Sequence, residues 1–430
     1  MEKELELYLH IPFCVKKCNY CDFVSFAGKE DAYESYVQSL CNEIALYKDT
    51  YKDWKVRSLY IGGGTPSVLT IEQMQRIIDA LNDSFTITGT KHKRKNVFSK
   101  RILRPTTEFT IECNPGAVDM EKLKAYKGMG INRVSFGLQS VNEDELKLLG
   151  RIHSYEDFIK SFEEAREAGF DNINVDLMQA IPGQTLDSWQ RTLSLIAMWH
   201  PEHISAYSLI IEEGTNFDKW LKKGKTVSGE EQMGIKIPNG PIGMLPTENE
   251  EREIYYFTKD FLEKTNYKRY EISNYAIKDF ACVHNLGYWQ RKNYLGLGLN
   301  ASSMVNNIRW KNTADLNKYI SELSDNNNLQ KIDGQTTENI LLVKGIIEDL
   351  HELSRKEQME EHMFLGLRQT EGISLTQFID IFHQDMITVY GETLDKLYAE
   401  GLVEIVEDNI RLTDKGIDVS NVALSEFLLD

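Results

Sequence analysis

No run of apolar residues in this 430-residue chain approaches the length of a membrane span. The opening Met1-Glu2-Lys3-Glu4-Leu5-Glu6 lacks the apolar centre of a secretory signal. Cysteine is scarce: six residues are too few for a disulfide framework at this length. Positive charge is in deficit, with 49 Lys and Arg against 66 Asp and Glu, a net charge of −17. That balance argues against a nucleic-acid partner gripped through its phosphates. What remains is the expectation of a cytoplasmic globular protein, 41% hydrophobic and 27% charged, long enough for more than one domain.

Three of the six cysteines stand together in Tyr8-Leu9-His10-Ile11-Pro12-Phe13-Cys14-Val15-Lys16-Lys17-Cys18-Asn19-Tyr20-Cys21-Asp22-Phe23, directly after an apolar run that reads as a strand. Three thiolates at C-x3-C-x2-C spacing hold three irons of a [4Fe–4S] cube and leave the fourth open for chemistry or ligand binding. A zinc site with His10 as a further ligand, or three unrelated buried thiols, are the alternatives. Cys41, Cys113 and Cys282 are scattered.

Hydrophobic periodicity predicts strands at 4–11, 56–61, from 109, and at 133–139, 173–178 and 203–211. Between and after them it predicts helices at 31–51, 71–81, 120–129, 143–149, 158–168 and 188–199. Six alternating units imply a parallel sheet, read as an incomplete (β/α)6 barrel in an α/β fold. Cys14, Gly63, Glu112, Gln139 and Asp176 fall at or just beyond strand C-termini, where such folds place their sites. The run 91–104, with seven Lys or Arg, reads as an inserted surface loop rather than a nucleic-acid arm, and 222–249 as a second insertion. Beyond a helix at 252–264, short strands are expected at 267–275 and 295–305, and helices at 336–353 and 359–367. Further helices near 378–382 and 394–402 and a hairpin turning at Asp408-Asn409 resemble a winged helix in a packing role. The expected domains are a barrel at 1–225, an insertion with a small sheet extension at 226–330, and a helical, winged-helix-like domain at 331–430.

Further motifs follow the cysteines in order: Gly62-Gly63-Gly64-Thr65-Pro66-Ser67, Glu112-Cys113-Asn114-Pro115, Phe136-Gly137-Leu138-Gln139, Leu149-Gly150-Arg151-Ile152-His153, and Asp176-Leu177 through Ile181-Pro182-Gly183. The ordered set resembles the radical SAM superfamily. Within it, the set resembles the group of oxygen-independent coproporphyrinogen oxidases and HemW-type haem chaperones. Two details resemble the chaperone branch. Phe23 stands where the oxidases carry a fourth cysteine, and His284-Asn285-Leu286-Gly287-Tyr288-Trp289 matches a motif tied there to haem binding. A neutral imidazole is an axial haem ligand, and Tyr and Trp offer flat apolar surface. In isolation, the same residues read as a structural His with two core aromatics. One departure is Gly296-Leu297-Gly298-Leu299-Asn300-Ala301-Ser302, where the family commonly has a small residue and then His.

Carried over residue by residue, the resemblance implies that Cys14, Cys18 and Cys21 bind the cluster, with Phe13 and Tyr20 as an apolar wall. Tyr8, Tyr20, Gly63, Gly64 and Thr65 match cofactor-binding positions, the glycines allowing close backbone approach. Glu112, Gln139, Arg151 and Asp176 match further S-adenosylmethionine positions, the carboxylates suited to ribose hydroxyls and the amino group, Arg151 to the methionine carboxylate. His284 matches the haem-binding position. The implied function is a [4Fe–4S]- and S-adenosylmethionine-binding haem chaperone. The alternatives are a radical SAM enzyme acting on a tetrapyrrole, as in oxygen-independent coproporphyrinogen III oxidase, and a methyltransferase of the same superfamily. The implied partners are haem and haem-accepting proteins, including acceptors met at the membrane periphery, with no nucleic acid. The chain itself is then a monomer or a haem-linked dimer.

Overall fold

The computed structural model describes residues 3–87, 107–228, 234–235, 243–324, 331–333, 341–343 and 345–429. Six parallel strands pair side by side in chain order: β1 (Glu4–Ile11), β2 (Lys55–Gly63), β3 (Glu108–Cys113), β4 (Arg133–Gln139), β5 (Ile173–Gln179) and β6 (His203–Ser208). β7 (Asn274–Ala276) lies antiparallel on β6 and carries the short strand Lys268–Arg269 at the sheet's edge.

The other side of β1 departs from the expected pattern. Residues 295–305 are two strands, β8 (Tyr294–Leu297) and β9 (Ser302–Val305), and β8 pairs in parallel with β1 as a seventh parallel strand. The turn between them is made by Gly298 (φ 100°) and Asn300 (φ 58°). β10 (Ile308–Asn312) and β11 (Ile347–Glu352) continue the sheet antiparallel. The sheet does not close, so the barrel is incomplete. The helix expected over 336–353 is corrected here: Leu341–Val343 and Ile347–Glu352 are strands, the latter drawn into register by β10, while 336–340 lie outside the described residues. Long-range pairing overrides local pattern in this way because strand preference is mostly a matter of neighbours. The basic run 91–104 also lies outside the described residues.

The helices α1 (Tyr33–Leu46), α2 (Ile71–Ser84), α3 (Met120–Gly128), α4 (Glu143–Leu149), α5 (Tyr155–Glu167) and α6 (Leu186–Met198) follow their strands. α2, α5 and α6 each start at a capping box, Thr70 with Gln73, Ser154 with Asp157 and Thr185 with Ser188, which satisfies donors that a helix start leaves open. Tyr36, Leu40 and Ile44, at helical spacing on one face of α1, are buried with Leu5, Leu7, Leu9 and Ile11 of β1 in the main core, as is Tyr47 just beyond the helix.

Strands of a buried parallel sheet usually read as unbroken apolar runs. Here they alternate, because side chains on a strand point to opposite faces. The odd residues of β1 enter the apolar core, whereas Glu6, Tyr8 and His10 look inward, across from Ser58, Tyr60 and Gly62 of β2. The same inner face continues through Glu108, Thr110 and Glu112 on β3, Arg133 and Ser135 on β4, Asn174 and Asp176 on β5, and His203 and Ser205 on β6. The barrel interior is therefore a polar lumen. α7 (Asn216–Ser228) and α8 (Glu248–Lys264) follow β6, and a short helix, α9 (Val283–Trp289), packs against β2 from inside and plugs the lumen.

The C-terminal helices α10 (Arg355–Gly366), α11 (Leu375–Phe382) and α12 (Met386–Ala399) share a separate core with a small sheet of Ile373–Ser374, β12 (Val403–Val406) and β13 (Asn409–Leu412). This is a winged-helix arrangement, with the hairpin loop at Glu407-Asp408, one residue earlier than expected. It docks by the ion pair of Arg269 with Asp414 at 2.9 Å and that of Arg291 with Glu361 at 3.1 Å. The Arg368 guanidinium lies 4.5 Å from the Trp289 ring centroid.

Candidate functional site

The cysteine loop leaves β1 at the C-terminal end of the sheet and is pinned from several sides. The Asn19 backbone N–H donates to the Leu149 carbonyl at 2.9 Å and its side-chain amide to Leu148. Asn216 at the start of α7 donates to the Asn19 side chain at 3.0 Å. Below the loop, Phe13 is buried against Tyr33 and Tyr36. Gly64 and Thr65 donate backbone hydrogen bonds to Ile11 and Phe13. A Cβ on Gly64 would stand 2.6 Å from the Phe13 carbonyl oxygen, and one on Gly63, at φ 104°, would stand 2.5 Å from His10 Nδ1. The two glycines are thus required by packing against β1 and the cysteine loop, whether or not a cofactor approaches them.

All three thiols of the loop are partly exposed and free. The Thr65 hydroxyl donates toward Cys14 Sγ at 3.5 Å, and Arg151 Nη1 toward Cys18 Sγ at 3.3 Å. Asn114 joins these donors: its amide donates to Thr65 Oγ1 at 2.9 Å and its carbonyl oxygen accepts from Arg151 Nη2 at 2.6 Å. Burial raises the Cys14 thiol above its ordinary value and Cys21 to about 11, and the neighbouring cysteines add to both shifts. Among the described residues no three His, Cys, Asp or Glu side chains gather as a one-ion site. A four-iron cube instead takes each thiolate on a different iron. Soft sulfur donors on one loop, with charged and hydroxyl donors aimed at two of them, fit such a cluster, since hydrogen bonds to ligating sulfur tune its charge.

Beside the loop, the upper lumen gathers the other expected positions. Glu112 accepts from the Tyr60 hydroxyl at 2.8 Å and from the Gly63 N–H at 3.2 Å; burial, then the Asp176 charge, raises its carboxyl to about 7. Asp176 accepts from Ser135 at 3.0 Å and Asn174 at 2.7 Å. Gln139 has a positive φ of 73° beside a register shift in β4 and accepts from the Tyr207 hydroxyl at 2.9 Å. Tyr20 packs with Leu149, Met178, Ile181 and Phe217, and burial raises its phenol. Arg151 is spent on Cys18, Asn114 and the Gly137 carbonyl, with Nε buried and unpaired. As placed, this guanidinium holds the cluster loop. Tyr8 donates to His10 Nδ1 at 3.1 Å, because His10 Nε2 must carry the proton it gives to the Val24 carbonyl at 2.8 Å. Sequence reading missed Tyr60, Ser135, Asn174, Tyr207 and the bridging role of Asn114, although Asn114 lies inside a quoted motif.

His284 is placed otherwise than an open haem ligand would be. It sits in the plug α9, 1% exposed, stacked near Tyr60 with ring centroids 5.2 Å apart. Its Nδ1 is 2.9 Å from the Ser58 hydroxyl and its Nε2 3.1 Å from the Tyr288 hydroxyl. Burial lowers its pKa to about 3, so the ring is neutral, and neither nitrogen is free for iron in this arrangement. Glu108 accepts the backbone N–H groups of Val283 and His284, each at 3.1 Å, and fixes the start of the plug. Cys282, just before the plug, is fully buried and donates to the same carboxylate.

A cleft of about 320 Å³ opens where the cysteine loop meets the β8 side of the sheet, lined by Phe23, Tyr8, Tyr288, Tyr294, Asn300 and Ser302 among others. It brings the motif residue Tyr288 and the distinguishing Phe23 to one space, while His284 stays behind Tyr288. No helix among the described residues is long and apolar enough to cross a membrane.

Residues 8–196 match the Radical SAM superfamily model, and 353–419 match the HemN C-terminal domain. The chain is 32% identical to the heme chaperone HemW of Lactococcus lactis over 430 residues, covering 100% of this chain and 99% of that one. It is 33% identical to heme chaperone HemW of Bacillus subtilis over 427 residues, 98% of each. Among solved structures it is similar to the Escherichia coli coproporphyrinogen III oxidase HemN, a radical SAM enzyme, with a TM-score of 0.76 at 22% identity, over 99% of this chain and 90% of that one. The oxidase shares the fold; the Lactococcus and Bacillus relatives, which match end to end at higher identity, are named heme chaperone. With its sheet, its cysteine loop and its terminal domain all matched in order, this chain belongs to the HemW family of the radical SAM superfamily.

Proposed function

We propose that the chain holds a [4Fe–4S] cluster on Cys14, Cys18 and Cys21, binds S-adenosylmethionine over it, and carries haem to acceptor proteins. The end-to-end likeness to proteins named heme chaperone carries this reading, supported by Phe23 in place of a fourth cysteine. When bound, a three-thiolate cluster supplies an open iron that S-adenosylmethionine chelates in proteins of this superfamily. The protein's own part is to hold the thiolates, to wall them with Phe13 and Tyr20, and to present the half-buried carboxylates of Glu112 and Asp176 to the nucleoside and amino groups. His284 would hold the haem iron through Nε2, the nitrogen now paired with the Tyr288 hydroxyl. The acceptors belong to the cytoplasm or its membrane face.

The test is anaerobic reconstitution followed by two assays. Haem added to the protein is expected to shift its Soret band and to pass to an apo-haem protein. No protoporphyrinogen is expected from coproporphyrinogen III. Substrate-dependent release of 5′-deoxyadenosine together with protoporphyrinogen would falsify the chaperone reading in favour of the oxidase.

A further inference from the structure

Phe23 is an anomaly on its loop: a large apolar ring, 61% exposed, beside residues that the fold otherwise pins down. It lines the 320 Å³ cleft together with Tyr288 and Tyr294, whose rings meet edge to face with centroids 4.7 Å apart. Asn300 Oδ1, on the turn that also lines the cleft, is buried with no hydrogen-bond partner. Asp22 is the one carboxylate in the lining, and no Lys or Arg joins it. Four aromatic side chains, Tyr8, Phe23, Tyr288 and Tyr294, therefore line the space, with His10, Asp22, Asn300 and Ser302 among them. At this volume, near the bottom of the usual range of about 300–1,000 Å³ for ligand pockets, it accepts part of a macrocycle rather than a whole one.

We propose that this cleft receives the vinyl-bearing edge of the haem, between Phe23 and Tyr294, with both propionates turned out to solvent. The proposal rests on the haem-binding reading above and gives a role to the residue that replaces the fourth cysteine. The apolar edge gains the ring contacts, whereas a propionate inside would meet the Asp22 carboxylate, with no Lys or Arg in the lining itself. Tyr288 then joins the cleft to His284, since its hydroxyl is the Nε2 partner of that ring. Cargo contact at Tyr288 is one hydrogen bond away from the imidazole.

The experiment is a Soret titration of the cluster-loaded full chain with haem and with deuterohaem, in which hydrogens replace the vinyl groups. The wild type is expected to hold haem about fivefold tighter than deuterohaem, as loss of two small apolar groups from a partly open contact implies. Phe23→Ala, a change at an exposed position, is expected to weaken haem about fivefold and to shrink the haem-to-deuterohaem preference below twofold. Ser302→Trp, which fills the cleft from an exposed position, is expected to weaken both ligands. Iron content and near-ultraviolet circular dichroism matching the wild type establish that the variants are folded and loaded. Wild-type haem affinity in both variants overturns the cleft assignment while leaving haem binding intact. A wild type that gives no Soret shift overturns the haem reading, and this assignment with it.

Discussion

The plug helix should be locked to β1 by one steric fit, that of Gly287 against Glu6. Glu6 is 1% exposed, and neither carboxylate oxygen has a hydrogen-bond partner. An added Cβ on Gly287 would overlap both of those oxygens. The clashing atoms end a side chain that is itself buried, so Gly287→Ala must displace that carboxyl or shift α9 against β1. Overpacking of this kind costs about 1–3 kcal/mol. The upper end is expected, because the displaced group is a buried carboxyl. Since the described residues form more than one core, local opening is a better measure than one global unfolding transition. The Leu286 amide bonds to the Cys282 carbonyl, Gln290 to Leu286, and Lys292 to Gly287, so hydrogen exchange across 283–292 reads the plug directly. A loss of about 2–3 kcal/mol accelerates exchange there roughly 30- to 150-fold, at a factor of ten per 1.4 kcal/mol. Glu6→Ala in the same chain makes room for the new methyl, and the double variant should recover about 1–2 kcal/mol relative to the sum of the single changes. Exchange within threefold of wild type in Gly287→Ala, or strictly additive effects in the double variant, refutes the argument.

Glu6→Gln should flatten the pH dependence of stability. Burial raises the Glu6 carboxyl from 4.5 to about 8, so the folded chain keeps a proton that the unfolded chain has released across that window. Its contribution is full below about pH 4.5 and fades as pH climbs to about 8, with Glu43 and Glu112 acting alike up to about 7. Thermal melts at pH 5, 6.5 and 8 should therefore fall less steeply in the variant; parallel curves would contradict this. Asn114→Ala removes the bridge that orients both Thr65 and Arg151, so the cluster's reduction potential, followed by electron paramagnetic resonance, should fall while iron content holds. An unchanged potential would sink that role. Arg368→Ala strips the cation from Trp289 and should loosen the end of the plug by about 0.5–2 kcal/mol, read by the same exchange experiment. Wild-type protection of Trp289 and Gln290 would dismiss it.

Much of the barrel was legible because its strands and helices alternate along the chain; that Leu5, Leu7 and Leu9 face the apolar core while Glu6, Tyr8 and His10 face the lumen came from the sheet. That Cys14, Cys18 and Cys21 share one loop after the first strand was legible from their spacing and the apolar run before them. The parallel pairing of β8 with β1 was not, since a four-residue strand arriving some 280 residues later carries no local sign of its neighbour. Ile347–Glu352 misled for the same reason, its partner β10 supplying what its own charged residues do not. The deepest gap concerns His284. Its sequence context names a ligand, but only packing shows Ser58 and Tyr288 already occupying both ring nitrogens. Asn114 shows the converse: an amide with no chemistry of its own becomes central once two strand ends bring Thr65 and Arg151 to it.

The plug gives the barrel an interior that is filled by a replaceable part. Most α/β barrels fill their centre with side chains from the strands themselves, so the filling cannot leave without unmaking the sheet. Here seven residues of a short helix, anchored by Glu108 at one end and by Arg368 on Trp289 at the other, occupy that centre. A cargo that claims His284 must therefore displace part of the wall, and its rates of entry and exit become rates of local unfolding. A ligand held at His284 would then be retained by the stability of one helix, whose last ring rests under Arg368 of the C-terminal domain.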